Sequence, residues 1–164
     1  MGGPSLAGTD ANVARVVNIA VLSDGLVLLV RRADSDSLGG FWEIPGGSVE
    51  SGEEFATAAS RELREETGIR TATLQEVLHY TGPSPSGFRR PVLDLAVYRG
   101  EVSPRPAVVL DPLEHSAFRW TPPRELGEYR MMRLNRRIAR FASAADRDND
   151  GAITVTRLTS FRSL

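Results

Sequence analysis

The stretch from Gly46 to Ile69, GGSVESGEEFATAASRELREETGI, constrains the fold of this chain more than any other. Ser51, with Glu54 three residues later, has the form of a capping box in front of a helical run. Gly68 is the residue type that ends helices, because it adopts the left-handed conformation without steric cost. The spacing therefore predicts a helix of about four turns between these signals.

Three glutamates, Glu62, Glu65 and Glu66, fall on the same side of the predicted helix as its apolar residues. Glu62 and Glu66 are one turn apart, which costs about 0.2–0.5 kcal/mol, and the helix dipole disfavours anions in the last turn. Such an arrangement on a half-buried face indicates a functional site. Carboxylate oxygens suit Mg²⁺ or Mn²⁺. The alternative is a solvated acidic face braced by Arg61 and Arg64.

The loop before the helix favours the metal interpretation. Pro45, Gly46 and Gly47 let the backbone approach the helix closely, and a carbonyl there would supply another oxygen ligand. The chain has no cysteine, which excludes disulfides, thiolate nucleophiles and cysteine-bound zinc. The expected ligands are therefore oxygen atoms.

The same stretch resembles the Nudix box in every defined position. Gly47, five residues, Glu53, seven residues and then RELREETGI from Arg61 to Ile69 carry the match. The resemblance implies the α/β class, as a Nudix-like α/β/α sandwich with a mixed β-sheet. It also implies hydrolysis of a pyrophosphate bond in a nucleoside diphosphate linked to another group, with Mg²⁺ or Mn²⁺ as cofactor.

The resemblance assigns roles to individual residues. It implies that three side chains and one backbone carbonyl bind the metal: Glu62, Glu65, Glu66 and the carbonyl of Gly46. It implies that Glu53 and Arg61 orient this cluster by ion pairing and hydrogen bonding. Water would attack a phosphorus atom, and the general base would be one of four glutamates, among which the sequence does not choose: Glu62, Glu65, Glu66 and Glu114.

Glu114 and the two histidines lie outside the box. Glu114 is six residues before Trp120 and resembles the loop acid found in many Nudix enzymes. A carboxylate on a mobile loop would act as a base or add a metal ligand when substrate closes the site, and the alternative is a plain surface glutamate. His79 and His115 are interpreted as structural or solvated, because two distant residues do not make a metal-binding pair.

Substrate recognition is expected from two places. Arg31 and Arg32 end a predicted strand, and one of them would meet phosphate; the alternative is a solvated pair. The loop at residues 81–90, TGPSPSGFRR, carries Phe88 and Arg89 and faintly resembles the proline-bearing loop of the ADP-ribose-cleaving branch. An arginine pair replaces the acidic residue that commonly follows that loop, and it would bind a terminal phosphate equally well. Both ADP-ribose-like compounds and nucleoside triphosphates are therefore candidate substrates.

The remaining sequence predicts a sheet and a second helix. Two apolar, β-branched runs, Ala14–Leu22 and Leu26–Arg32, flank Asp24-Gly25 and predict a β-hairpin. Two further strands, a loop over the site and a helix are predicted, in this order, at Thr71–Tyr80, Pro91–Glu101, Ser103–Asp111 and Glu128–Ala145. Trp42 is interpreted as a core residue.

The predicted domain spans residues 13–145, between a flexible lead-in at 1–12 and a tail at 146–164. The first, third and fifth positions of an EF-hand calcium loop are matched in the tail by Asp146, Asp148 and Asp150. Arg157 stands where that loop needs a bidentate glutamate. Ca²⁺ binding is therefore weighed against an Asx-rich turn.

Composition limits the partners. A chain of 164 residues, 41% hydrophobic and 25% charged, predicts one soluble globular domain. The net charge of -1 gives no argument for nucleic acid or a membrane surface, and no apolar run approaches the ~20 residues that span a bilayer. We expect a cytoplasmic protein with a small-molecule nucleotide substrate, and a homodimer would be common among relatives. The alternatives are a nucleotide-sensing module that does not cleave and an isomerase of the same fold.

Overall fold

The computed structural model of the protein describes residues 12–70, 73–85 and 89–144. Within these ranges, seven strands and two helices follow one another along the chain. They are β1 (Val13–Ser23), β2 (Leu26–Arg32), β3 (Trp42–Glu43), β4 (Gly46–Ser48), α1 (Phe55–Thr67), β5 (Gln75–Pro83), β6 (Val92–Glu101), β7 (His115–Thr121) and α2 (Arg133–Ala144). A short 3-10 helix at Pro123–Glu125 precedes α2.

The strands form one mixed sheet with β1 at its centre. The order β3-β2-β1-β6-β5 is continuous, β4 also pairs with β1, and β7 also pairs with β2. Strand β1 runs parallel to β6 from the Val13–Val92 pair to the Leu22–Glu101 pair, which is all of β1 except its last residue. The predicted hairpin is confirmed, because Leu22 of β1 pairs with Val27 of β2 across the turn.

Side chains of β1 alternate between two apolar cores. Val17, Ile19 and Val21 are buried in the core under α1, and Ala20 and Leu22 are buried in the core under α2. Successive residues of a strand point to opposite faces, so one β-branched run supplies both cores. The helices therefore cover opposite faces of the sheet, and the predicted α/β/α sandwich is confirmed.

The start of α1 differs from the prediction. The helix begins at Phe55 with Glu54 as its N-cap, and no side chain caps it, so the capping box from Ser51 to Glu54 is wrong. The neighbouring Glu53 accepts a hydrogen bond from the backbone N–H of Glu50 at 3.0 Å. A carboxylate therefore organises the turn before the helix instead of its first turn.

The predicted end of α1 is confirmed. Gly68 has φ 69° and its N–H donates to the carbonyl of Arg64 at 2.9 Å. Just beyond, the N–H of Val109 donates to the carbonyl of Thr67 at 2.9 Å. The predicted loop at residues 103–111 therefore packs against the C-terminal end of α1, where the glutamates lie.

Helix α2 begins at Arg133, five residues later than predicted. The preceding segment pairs with β3 instead, because the N–H of Trp42 donates to the carbonyl of Arg130 at 2.8 Å and Met131 forms a bridge with Trp42. Backbone pairing keeps this segment extended. Trp42 packs against the core under α2, as expected.

Some predictions fall on residues outside the described ranges. These are the calcium loop with Asp146, Asp148 and Asp150, the substrate contact at Phe88, and the first two residues of the strand predicted from Thr71. The described residues 73–74 are not in that strand, which begins at Gln75. In the part of the chain that is described, neither helix is long and apolar enough to cross a membrane.

Candidate active site

Arg61 on α1 lies at the centre of a cluster of carboxylates. Its guanidinium forms a bidentate pair with Glu53, with both N–O distances 3.0 Å. It also donates to Glu62 at 2.9 Å, to Glu65 at 3.1 Å and to the carbonyl of Ser48 at 3.0 Å. One cation thus meets three carboxylates, so the cluster keeps an excess of negative charge.

The Arg61–Glu53 pair is the fixed part of this cluster. Hydrogen bonding to Arg61, helped by the backbone N–H of Glu50, lowers the pKa of Glu53 to about 2. The same bonds raise the pKa of Arg61 above its usual range. Both groups therefore stay charged across the physiological pH range, and a bidentate pair of this kind fixes orientation as well as charge.

Glu66 is buried at the C-terminal end of α1, with 6% of its surface exposed. Burial, together with the smaller effects of nearby Glu43, Glu62 and Glu114, raises its pKa to about 9. The N–H of Gly46 donates to Glu66 Oε2 at 3.0 Å and opposes this shift. Burial also raises the pKa of Glu62. In the absence of a cation, Glu66 therefore holds a proton at neutral pH.

Bare glycine backbone lies against these carboxylates. A Cβ on Gly47 would lie 2.6 Å from Glu62 Oε2, and one on Gly46 would lie 2.7 Å from Asn18 Nδ2 and collide with the carbonyl of Val17. A side chain at Gly47 would displace the Glu62 carboxylate, and a side chain at Gly46 would push β4 away from β1. The close approach predicted from the paired glycines is therefore present, and it brings the Gly46–Gly47 segment to the glutamates.

A second acidic group lies at the start of β7. Glu66, Glu114 and His115 each place one potential ligand atom within 4.8 Å of the others. Within the described ranges, no other three acidic or histidine side chains come so close. Glu65, by contrast, is half exposed and lies between Arg61 and Arg64. The structure thus places Glu66 in one set with Glu114 and His115, while Glu65 is held on the exposed side of α1.

The loop before β7 holds Glu114 in place through its backbone. The carbonyl of Glu114 accepts from the N–H of Ala33 at 2.8 Å, and its own N–H donates to the carbonyl of Asp111 at 3.1 Å. Its side chain is exposed while that of Glu66 beside it is buried. The loop acid therefore faces solvent at the edge of a buried carboxylate.

Both histidines were interpreted from the sequence as structural or solvated, and the structure places them in different surroundings. The His79 ring lies 2.9 Å from Asp94 and 3.3 Å from Glu76, away from the cluster, which agrees with a structural role. The His115 ring is only 3% exposed and its Nε2 lies 3.5 Å from Glu43 Oε1. Glu43, which the sequence analysis did not single out, is therefore part of the site. Its signal was an acidic residue inside the apolar run FWEIP.

The two strand-end arginines are held by carboxylates. Arg32 donates to Asp36 at 2.6 Å and to Glu43 at 2.7 Å. The bond from Arg32, helped by the backbone N–H of Leu38, lowers the pKa of Asp36 to about 2. Arg31 donates to Ser116 at 2.7 Å and to Asp34 at 2.9 Å. Both arginines are therefore paired within the protein, Arg32 with two carboxylates and Arg31 with a hydroxyl and an exposed carboxylate.

Arg89 is exposed, and no hydrogen bond or ion pair joins it to other described residues. A cavity of about 420 Å³ lies between the start of β1 and the loop after β4. Its lining includes Arg15, Ser48 and Arg90, the residue that follows Arg89. Arg15 donates to the carbonyl of Glu53 at 3.3 Å. Ser48 borders both the cavity and Arg61. The cavity therefore adjoins the carboxylate cluster and carries two cationic side chains that sequence reasoning did not connect with it.

Comparison with known proteins places this geometry in a family. The family model of the NUDIX domain matches residues 12–142. A MutT-like protein from Streptomyces ambofaciens is 37% identical over 113 residues, covering 69% of this chain and 66% of the relative. CTP pyrophosphohydrolase from Escherichia coli (strain K12) is 34% identical over 114 residues, covering 70% and 79%.

The fold is shared with solved structures. The NUDIX domain of Shewanella oneidensis NrtR, solved with ADP ribose, superimposes with a TM-score of 0.66 at 19% identity and covers 82% of this chain and 91% of that chain. The chain spans 66%, 30% and 36% of the length of three curated relatives that it matches. The family match nevertheless includes the whole carboxylate cluster and most of the sheet. On this evidence, the chain belongs to the Nudix hydrolase family.

Proposed function

We propose that this protein is a divalent-metal-dependent hydrolase that cleaves the pyrophosphate bond of a nucleoside diphosphate linked to another group. The observation that carries the proposal is the half-buried cluster of glutamates around Arg61, which has more negative charge than one guanidinium neutralises. A CTP pyrophosphohydrolase among the relatives and a similar fold solved with ADP ribose support nucleotide substrates of this class.

The residues present fit Mg²⁺ or Mn²⁺. The groups that would hold the cation are Glu62, Glu65, Glu66 and the carbonyl of Gly46. These cations prefer carboxylate and carbonyl oxygens as ligands. Because Gly47 has no side chain, the Glu62 carboxylate can occupy the space beside its backbone. When bound, the cation would neutralise charge on the phosphate oxygens and lower the pKa of the attacking water.

The side chains around this position have separate tasks. Glu53 holds Arg61, and Arg61 in turn holds Glu62 and Glu65 on one side of α1. The N–H of Gly46 holds Glu66. The proton of the attacking water passes to a carboxylate oxygen of one of four glutamates: Glu62, Glu65, Glu66 or Glu114. Glu114 is the exposed one beside Glu66. Attack on phosphorus then yields a nucleoside monophosphate and a second phosphate-bearing product.

Arginines on two sides of the site would bind the phosphates and the group linked to them. Arg32 already pairs with two carboxylates, whereas the Asp34 partner of Arg31 is 78% exposed. An exposed ion pair is worth at most about 1 kcal/mol, so Arg31 can exchange Asp34 for a phosphate at low cost. Arg15 and Arg90 line the adjoining cavity, and Phe88 and Arg89 remain proposed contacts of the linked group.

A panel of substrates tests the proposal. The full chain is incubated with Mg²⁺ and ADP-ribose, nucleoside triphosphates, dinucleoside polyphosphates or nucleotide sugars, and released nucleoside monophosphate is measured. We expect monophosphate from at least one class and none after chelation of the metal. A nucleotide sensor would bind without forming product, and an isomerase would form product with every phosphate bond intact. Either result would exclude hydrolysis.

A further inference from the structure

The His115 side chain has a buried nitrogen that the proposed mechanism does not use. The residue is 3% exposed, and its Nδ1 has no hydrogen-bond partner among the described residues. Leaving a buried polar atom without a partner costs about 1–3 kcal/mol. Such an atom in a folded protein is therefore a candidate for binding a water or an ion.

A bulge in β7 places this ring where it is. Arg31 pairs with Ala117 and Arg32 pairs with His115, so Ser116 is one residue too many on the β7 side. The Ser116 hydroxyl is exposed and accepts a hydrogen bond from Arg31 at 2.7 Å. Bulges redirect side chains and are frequent beside active sites. Here the register shift leaves His115 buried beside the acidic cluster and Ser116 at the surface.

Glu43 lies next to Nε2, the other nitrogen of the His115 ring. Glu43 Oε1 lies 3.5 Å from His115 Nε2 and is fixed by Arg32 Nη1 at 2.7 Å. A carboxylate behind one ring nitrogen favours the tautomer with its proton on that nitrogen, so the second nitrogen keeps a lone pair. Histidines that bind metals are commonly supported in this way. The Arg32–Glu43–His115 chain therefore has the form of a metal ligand with its supporting residues.

Two further carboxylates lie beside the ring of His115. One ring nitrogen of His115 and one oxygen each of Glu66 and Glu114 lie within 4.8 Å of one another. A cation of about 2.1 Å bond length requires ligand atoms about 3–4 Å apart, which small side-chain movements provide. Glu66 is buried and Glu114 is exposed, so this position is open to substrate on one side.

We infer that His115 is a direct ligand of the divalent cation, together with Glu66 and Glu114. This inference rests on the proposed metal-dependent function, and it adds an imidazole nitrogen to a set of oxygen ligands. Imidazole binds Mn²⁺ and later transition metals readily, whereas Mg²⁺ prefers oxygen. The site of this chain therefore prefers Mn²⁺ to Mg²⁺, and the preference depends on His115.

Pulsed electron paramagnetic resonance of bound Mn²⁺ tests the ligand directly. The full chain is loaded with Mn²⁺ alone in a buffer without nitrogen ligands, and nitrogen hyperfine modulation is recorded. We expect modulation in the wild type and in H79Q, which changes the other histidine, outside the cluster. We expect its loss in H115Q. Mn²⁺ that is bound without nitrogen modulation in the wild type would overturn the inference and leave the hydrolase proposal standing.

Metal titrations supply a second readout. H115Q should bind Mn²⁺ about tenfold more weakly than the wild type and Mg²⁺ less than about twofold more weakly, because only one nitrogen ligand is lost. Equal weakening for both metals would indicate general distortion and overturn the inference. A wild-type chain that binds neither metal would overturn both this inference and the proposed function. If H115Q does not fold, the wild-type spectrum still decides the question.

Discussion

At the scale of single residues, Glu66 is the group whose charge the apoprotein tolerates least. Burial, three neighbouring glutamates and the C-terminal end of α1 all oppose its ionisation, and only the N–H of Gly46 favours it. A bound cation would reverse this balance. Replacements at Glu66 should therefore change stability and activity in opposite directions.

The first prediction concerns stability. Because the pKa of Glu66 rises from 4.5 to about 9 on folding, folded wild type binds its proton more tightly than the unfolded chain does. Its free energy of unfolding should therefore fall as pH rises between these values. E66Q keeps an acceptor for Gly46 and removes the titration. Without metal it should exceed wild type by on the order of 2–5 kcal/mol at about pH 8.

Denaturant unfolding in the presence of a chelator measures this difference. The two proteins should converge as pH falls towards 4.5, where both the folded and the unfolded wild type hold the proton. A difference that stays constant across the whole range would show that Glu66 is not the titrating group.

The second prediction concerns turnover. E65Q and E66Q should each lower kcat by several powers of ten, because each removes a proposed metal ligand while keeping the shape of the side chain. E128Q removes an exposed glutamate outside the cluster and should leave kcat unchanged. Near-normal turnover of the first two variants at saturating Mg²⁺ would refute the ligand assignment.

The third prediction concerns Arg61. Its guanidinium separates three carboxylates, so R61A should lower both the melting temperature and kcat through repulsion and misplaced ligands. Arg64 is half exposed and lies 3.5 Å from Glu65, so R64A should have little effect on either quantity. Equal effects of the two replacements, measured by thermal unfolding and steady-state kinetics, would mean that Arg61 is an ordinary surface arginine.

At the scale of elements, the contact between β4 and α1 decides whether the carboxylates can assemble. The fourth prediction is that G47A lowers kcat at least tenfold with a modest loss of stability, because the added Cβ would lie 2.6 Å from Glu62 Oε2. G127A is the matched control, since its Cβ would meet only the flexible end of Arg140 at 3.4 Å. The two melting temperatures and the two kcat values measure the difference.

G47A with unchanged kcat would show that the Glu62 carboxylate is free to move without consequence. It would then have no fixed role in the reaction. Recovery of activity in G47A at higher Mg²⁺ concentration would instead agree with weakened metal binding.

The observed strands and helices show which of their ends could be predicted from local sequence signals. The hairpin at Asp24-Gly25 and the end of α1 at Gly68 were correctly predicted, because each depends on a backbone conformation that few residues adopt. The predicted start of α1 was wrong, because Glu53 pairs with Arg61, which lies further along the helix. The start of α2 was wrong for a similar reason, since pairing with β3 overrides helix propensity.

At the scale of the whole molecule, the sheet joins two halves of the site that are distant in sequence. The Nudix box supplies α1 and β4 from one contiguous stretch, and that half could be predicted from spacing. Glu43 and His115 come from β3 and β7, and they meet because both strands pair with β2. The register shift at Arg31 and Arg32 leaves no local signal, so the place of His115 could not be predicted.

The net charge of the whole chain differs from the local charge of the candidate site. The net charge of -1 is almost neutral, yet the glutamates of the site are concentrated at one end of α1. A small cation bound at the end of α1 would neutralise the local negative charge, and its binding does not require a strongly charged surface elsewhere on the molecule. The proposed function therefore depends on a divalent ion at this position.

Diffraction from crystals soaked in Mn²⁺ with a non-hydrolysable ADP-ribose analogue tests that claim most directly. We expect an anomalous difference peak within bonding distance of carboxylate oxygens from the cluster of Glu62, Glu65 and Glu66, with the diphosphate of the analogue beside it. An ordered analogue with no peak there, and those carboxylates pointing into solvent, would contradict the account.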